Sequence, residues 1–258
     1  MLDWMDVTAL SFNTLLLLER VQLSWLAGSP PDTAWGIALH ANPVVAWYLR
    51  HKCPPLASWV DAALALPAAS KPEEVRQAEI QIMRRLNDWL VYVVAPEQYD
   101  AQSFLRWDSQ ELTGLLDFSG KRVIDVGAGT GRLTFAVAAK AEAVLAVEPV
   151  ARLRQYIRER AAALGLCNVY AVDGLITEIP LPPDFADVTM AGHVFGEYLD
   201  AEYQELARVT RPGGMIVLCP GNNDEDNANH AYLLAQGFAW SRFEEPRDGI
   251  KRKYWKHL

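Results

Sequence analysis

From Lys121 onward the chain alternates short apolar runs with amphipathic stretches. RVIDV, AVLAV, NVYAV, DVTMA and MIVLC, at 122–126, 143–147, 168–172, 187–191 and 215–219, are separated by helical periodicity near 131–140, 150–164, 200–210 and 226–236. Several of these runs are continuously apolar, as strands covered on both faces are. The alternation predicts a parallel sheet with right-handed crossovers. The closing stretch, FAWSRFEEPRDGIKRKYWKHL, reads instead as two aromatic-rich strands around an Asp248-Gly249 turn, a β-hairpin.

Residues 1–118 follow a different grammar, of helices punctuated by proline. Ser70-Lys71-Pro72-Glu73 has the form of a capping box with proline in the first turn. Behind it Val75, Ala78, Ile82, Leu86, Trp89 and Val93 recur at helical spacing until Pro96. Asp32 and Asn42 are candidate N-caps for helices over 33–40 and 43–51, and Cys53-Pro54-Pro55 breaks the chain before another helix. The expected organisation is a helical N-terminal region over 1–118 and an α/β domain over 119–258. Seven of the nine tryptophans, at 4, 25, 35, 47, 59, 89 and 107, lie in the first region. Tryptophan serves cores, interfaces and flat-ligand pockets alike; core packing explains each one singly, while the group suits a substrate-covering cap or a homodimer surface.

Composition narrows the class. At 51% hydrophobic and 22% charged residues, the chain is that of a globular protein. The net charge of −8 disfavours nucleic acid, whose phosphates need a basic face. The one basic run, Lys251 to Lys256, is expected to be a solvated strand with edge-protecting lysines. Cys53, Cys167 and Cys219 are odd in number and far apart, which gives neither a metal site nor a disulfide framework and suits a reducing compartment. The start, MLDWMD, lacks the basic residues of a secretory leader, and the TLLLL run is closed by Glu19 and Arg20 well before it could span a bilayer. A cytoplasmic protein without membrane contact is expected.

The chemistry gathers at Asp125-Val126-Gly127-Ala128-Gly129-Thr130-Gly131, where the first α/β strand runs into a helix. A Walker loop requires a lysine after its glycines, and there is none here. A dinucleotide loop spaces its glycines GxGxxG, whereas these are GxGxG. Asp125, two residues before the first glycine, is poorly placed for a pyrophosphate and suits a ligand with an ammonium group.

This motif, after an apolar strand, resembles the first motif of the class I S-adenosylmethionine-dependent methyltransferases. The likeness extends over about 119–258, including Pro212-Gly213-Gly214 before the fifth strand. It implies a Rossmann-like, mostly parallel seven-stranded sheet with an antiparallel C-terminal hairpin, and S-adenosyl-L-methionine as cofactor. It assigns Asp125 to the amino-acid end of the cofactor and Gly127, Ala128, Gly129 and Gly131 to its close approach. Glu148, followed by Pro149, is assigned to the ribose hydroxyls, although nicotinamide enzymes use an acid in the same way. Asp173, with Gly174 and Leu175, is assigned to the adenine. Arg106, in the segment approaching the first strand, is a candidate partner for the methionine carboxylate.

The acceptor is less marked. The segment after Asp187 faces the carboxyl ends of the strands, where ligands of open sheets lie. It offers His193 as general base, with Glu197 second, and their alternative roles are backbone hydrogen bonding and packing. The tetrapeptide of enzymes that methylate base amino groups is absent, so a small-molecule acceptor under the helical cap is the leading reading. Two other classes compete: a non-catalytic interaction protein on the same fold, and a nicotinamide-linked oxidoreductase.

Overall fold

The structure is a computed structural model that describes residues 4–258; Met1–Asp3, half of the acidic start, lie outside the described residues. The chain divides into two compact units, 1–99 and 100–258. Residues 100–118, grouped with the helical half on sequence grammar, therefore belong to the second unit, because Trp107, Leu112 and Phe118 pack in its sheet core.

The first unit is helical. It contains α1 (Arg20–Ser24), α2 (Thr33–Ala41), α3 (Pro43–Lys52), α4 (Ala57–Leu64), α5 (Pro72–Arg85) and α6 (Asn87–Val94); α7 (Pro96–Asp100) ends at the boundary. Leu15, Leu18, Leu23, Leu39, Leu49, Leu56, Val60, Ile82 and Leu90 are fully buried. Asp32 caps α2 as its position predicts, accepting the Trp35 N–H at 3.2 Å. Three local expectations are corrected. Asn42 does not cap α3 with its side chain; its amide donates to the Ala38 carbonyl and to Glu79. The residue before α5 is Lys71 rather than Ser70, with no side-chain cap, since Pro72 already occupies the first helical position. The long periodic stretch is two helices, broken at Leu86 (φ −98°, ψ 14°), whose side chain stays buried on both accounts.

In the second unit, seven strands among the described residues form one sheet in the order β3-β2-β1-β4-β5-β7-β6. They are β1 (Arg122–Val126), β2 (Ala143–Val147), β3 (Val169–Val172), β4 (Ala186–Ala191), β5 (Thr210–Asn223), β6 (Ala239–Glu245) and β7 (Gly249–His257). The first five pair in parallel, and β7 is antiparallel to both β5 and β6. The helices are α8 (Gln110–Thr113), α9 (Arg132–Val137), α10 (Ala151–Ala163), α11 (Leu199–Val209) and α12 (Ala228–Ala235).

Side chains that alternate along each strand supply two cores. Val123, Val188, Met190, Met215, Val217 and Cys219 join Leu133 and Val137 of α9 on one face. Ile124, Val126, Ile216 and Leu218 join Leu206 and Val209 of α11 on the other. Two covered faces explain the continuous apolar runs.

The hairpin forms, but its basic run is not at an edge. β7 lies between β5 and β6, and Lys251, Arg252 and Lys253 are buried. Arg252 is held by Asp224 at 2.7 Å and Asp226 at 2.8 Å, and Lys253 by Glu111 at 2.6 Å. Burial of Arg252 and Lys253 is met by acids from the 224–226 segment and from α8. Among the described residues no helix is long and apolar enough to cross a membrane.

Candidate functional site

From β1 the sheet grows one way through β2 and β3 and the other way through β4 and β5. The strand order therefore reverses between β1 and β4, and in open sheets the carboxyl ends of the strands at such a point form the crevice where ligands lie. The glycine loop leaves β1, and the segment containing His193 leaves β4, so both frame this crevice.

The loop is tight for identifiable reasons. Gly127, Gly129 and Gly131 all have left-handed backbones (φ 65°, 56° and 86°). A Cβ on Gly127 would lie 2.5 Å from Val194 Cγ1, and one on Gly131 would lie 2.6 Å from the Phe135 ring. Gly127 and Ala128 donate their N–H groups to the Val147 carbonyl at 2.8 and 3.1 Å, which ties the loop to β2. Thr130 Oγ1, at the loop's centre, is buried without a hydrogen-bond partner. The glycine-lined backbone and this orphaned hydroxyl fit a ligand that approaches main chain closely.

Asp125 is buried at the end of β1 and turned toward α9. Its Oδ2 accepts the Thr134 N–H at 2.9 Å and the Thr134 hydroxyl at 2.6 Å. Burial pushes its carboxyl up to about 7 against the pull of those bonds. The acid thus anchors the start of α9, and Thr134 is a partner the sequence pattern does not announce.

Glu148, at the end of β2, is 5% exposed. Its Oε2 accepts the Gly129 N–H at 2.9 Å and its Oε1 the Val150 N–H at 2.8 Å, across the half-buried Pro149. Each oxygen keeps a second lone pair with which to accept a ligand hydroxyl. Burial also pushes this carboxyl up to about 7, opposed by its two backbone bonds.

Asp173 follows β3 with its side chain 74% exposed and pairs with Arg154 at 2.8 Å; Arg154 also donates to the Glu148 carbonyl at 2.7 Å. Gly174 packs where a Cβ would meet Pro180 at 2.6 Å and Val147 at 2.8 Å, and Leu175 is exposed in a short bridge with Glu178. The acids after β2 and β3 are thus joined through one arginine from α10. Arg106 is exposed at the end of a short 3-10 helix, Ser103–Leu105. The neighbouring basic residue Arg132 is the one engaged: its Nε donates to Leu105 O at 2.6 Å, its guanidinium to Trp107 O, and it stacks over the Trp107 ring at 4.5 Å.

After β4, His193 has a left-handed backbone (φ 60°), and its Nε2 lies 3.0 Å from Glu245 Oε1. Glu197 lies on the same loop, residues 192–198. That loop is fastened by Glu202 of α11, a buried acid no motif singles out. It accepts the N–H groups of Gly196, Glu197 and Tyr198 at 2.6, 3.1 and 2.8 Å. Glu197 itself is exposed and bonds the Tyr198 side chain.

The profile of a methyltransferase-domain family matches residues 123–214, from β1 through the turn before the core of β5. An uncharacterised methyltransferase of Mycobacterium bovis is 33% identical over 113 residues, covering 43% of this chain and 44% of that protein. One from Geobacillus thermodenitrificans is 29% identical over 175 residues, covering 65% of this chain and 78% of the relative. Among solved structures, a S-adenosylmethionine-dependent methyltransferase from Aquifex aeolicus aligns at 20% identity with a TM-score of 0.49, covering 62% of this chain and 95% of that one. The chain spans less than half the length of the mycobacterial relatives it matches. Motif order and strand order agree with this profile: residues 123–214 match a methyltransferase-domain family, and the sheet that contains them has the mostly parallel order that the motif implies.

Proposed function

We propose that the chain methylates a small molecule, using S-adenosylmethionine held at the crevice between β1 and β4. The observation that carries this reading is the joining of the glycine loop to Glu148 by the Gly129 N–H, beside the segment that bears His193. When bound, the cofactor supplies a methyl on a positive sulfonium, and the C–S bonding pair leaves with the sulfur of the thioether product.

The chain's residues then have three tasks. Glu148 accepts the ribose hydroxyls on the free lone pairs of its two oxygens. Asp173, with one oxygen on Arg154, accepts from the adenine amino group with the other. His193 takes a proton from the acceptor, as an imidazole can near neutral pH. Asp125 acts at one remove, setting the start of α9 so that the glycine loop keeps its shape. Selection of the acceptor falls, on this reading, to the aromatic helical region.

Thermal unfolding of the purified chain with S-adenosylmethionine, S-adenosylhomocysteine, NAD or NADP tests the cofactor. A ligand at 100 times its dissociation constant adds about 2.7 kcal/mol to the folded state. Stabilisation by the two sulfur nucleotides alone is expected. Stabilisation by a nicotinamide nucleotide, or by none of the four, would overturn the reading. Release of S-adenosylhomocysteine in the presence of candidate acceptors then separates an enzyme from a non-catalytic binder.

A further inference from the structure

We propose that Glu245 is the positioning residue of a His193–Glu245 dyad, and that the acceptor is a molecule that must lose a proton, a hydroxyl or an N–H amine. The proposal rests on the methyl-transfer reading above and extends it to a residue in the C-terminal hairpin.

His193 is held from three directions. It ends the turn after β4, and its backbone N–H donates to the Pro220 carbonyl in β5 at 2.9 Å. Its ring meets the Phe104 ring edge-on at 6.1 Å between centroids. Its Nε2 lies 3.0 Å from Glu245 Oε1. Its φ of 60° is unusual for a residue with a side chain, and such conformations persist where surrounding contacts over-determine them.

Glu245 reaches the same end of the sheet because β6 is antiparallel to β7, and β7 to β5. β6 therefore runs in the direction of β5, and its last residue lies at the carboxyl edge. The side chain of Glu245 is completely buried. Its other oxygen is 3.5 Å from Lys251 Nζ, an ion pair too long for a hydrogen bond. Lys251 is in turn fixed by Asp248 at 2.6 Å and Asn223 at 2.7 Å. A buried acid is costly to keep, and this one, with Lys251 and Asp248 behind it, turns its hydrogen-bonding oxygen to a partly exposed imidazole, 39% accessible at its side chain.

A carboxylate can only accept, so the imidazole nitrogen beside it carries the hydrogen. Nε2–H then points at Glu245, and Nδ1 keeps its lone pair. No described residue hydrogen-bonds Nδ1. The next residue, Val194, packs directly on Gly127, which puts this lone pair's residue beside the glycine loop. In the step this geometry supports, a hydroxyl's proton passes to Nδ1 and the O–H pair stays on oxygen as the nucleophilic pair; an N–H amine attacks with its own lone pair and gives its N–H proton to Nδ1, the N–H pair remaining on nitrogen. The imidazolium so formed retains its Nε2–H on Glu245, the same division of labour by which a buried acid serves a catalytic histidine in hydrolases. A thioether or tertiary amine has no such proton to give and would gain nothing from the dyad.

The test combines spectroscopy with turnover on the full chain. Nitrogen-15 spectra of the histidine rings, assigned by His193→Asn, are expected to show His193 as the Nε2–H tautomer, and Glu245→Gln is expected to mix the tautomers. Glu245→Gln should leave S-adenosylhomocysteine affinity within about twofold. It should lower kcat toward hydroxyl or amine acceptors by about 10–100-fold with KM little changed, and Glu245→Asp should recover part of the loss. An Nδ1–H tautomer in the unmodified chain would overturn the proposal without needing a folded variant, as would unchanged spectra and kcat in Glu245→Gln. Turnover confined to thioether or tertiary-amine acceptors would overturn the acceptor class. Failure of the unmodified chain to bind S-adenosylmethionine would instead remove the methyl-transfer reading, a result the tautomer measurement does not mimic.

Discussion

The Gly129 N–H donates to Glu148 Oε2 at 2.9 Å, so the glycine loop and the end of β2 share one hydrogen-bonded carboxylate. Burial pushes Glu148, and likewise Asp125, up to about 7 from ordinary values of 4.5 and 3.8. Between the ordinary values and about 7 the folded chain holds protons that the unfolded chain has lost. Folded stability should therefore fall as pH rises across that window and level off above it. Urea midpoints measured without ligand from about pH 5 to about pH 8 check the sign; a rise traceable to these two groups, absent in Glu148→Gln, would contradict it.

Cofactor affinity should move the other way. Ribose hydroxyls donate to the ionised form of Glu148, so binding should expel a proton near pH 7, and the dissociation constant should shrink as pH rises through about 7. Calorimetry in two buffers of different ionisation heat measures the proton directly. In Glu148→Gln the pH dependence should flatten and the affinity fall while the fold is kept.

Thr134→Val removes one of the two hydrogen bonds that Asp125 accepts and leaves the backbone one in place. The loss of a bond to a buried charged group is expected to cost about 1.5–3 kcal/mol at pH 8. Because the Asp125 carboxyl holds its proton below about 7, the cost should be smaller at pH 6. Equal destabilisation at both pH values would show that the hydroxyl serves packing alone.

Gly131→Ala meets both a left-handed backbone and the Phe135 ring 2.6 Å from the new Cβ. Gly120→Ala meets a similar backbone (φ 66°) with open space around it. The first should cost more than the second, which carries only the conformational cost of about 1–2 kcal/mol. Denaturant midpoints of the pair separate the clash from the backbone preference.

Glu202→Ala strips the acceptor from the N–H groups of Gly196, Glu197 and Tyr198. Exchange of these amides with deuterium should quicken by about 10–100-fold, the equivalent of the 1.5–3 kcal/mol of a charged hydrogen bond. Unchanged exchange would mean that the loop is held by Val194 and Phe195 packing.

The α/β half was legible because its information is local. The period of the apolar runs marks buried strands, and the GxGxG spacing marks a loop whose glycines the structure places in left-handed conformations. The acids Glu148 and Asp173 follow their strands at positions the family pattern assigns. What stayed hidden depends on partners distant in sequence. Glu245 meets His193 across 52 residues, and nothing in EEPRDG marks it. Arg154 joins two sites that read separately. The basic run Lys251 to Lys256 looked like a solvated edge because its acids, Asp224, Asp226 and Glu111, lie elsewhere in the chain. The local caps of α3 and α5 failed for the opposite reason: Asn42 found a tertiary partner in Glu79, and Pro72 fixed the start of its helix without a side-chain bond.

The position of β7 between β5 and β6 also bears on how the chain emerges from the ribosome. The five parallel strands can assemble once β5 has been made, yet the strand that covers β5 comes after β6 in the chain. Until His257 has left the exit tunnel, the hydrogen-bonding groups of β5 lie bare, and such an edge invites pairing with other nascent chains. Slow translation of residues 224–257, or scarcity of chaperones that shield strand edges, should therefore lower the yield of folded protein more than the same delay within the helical half.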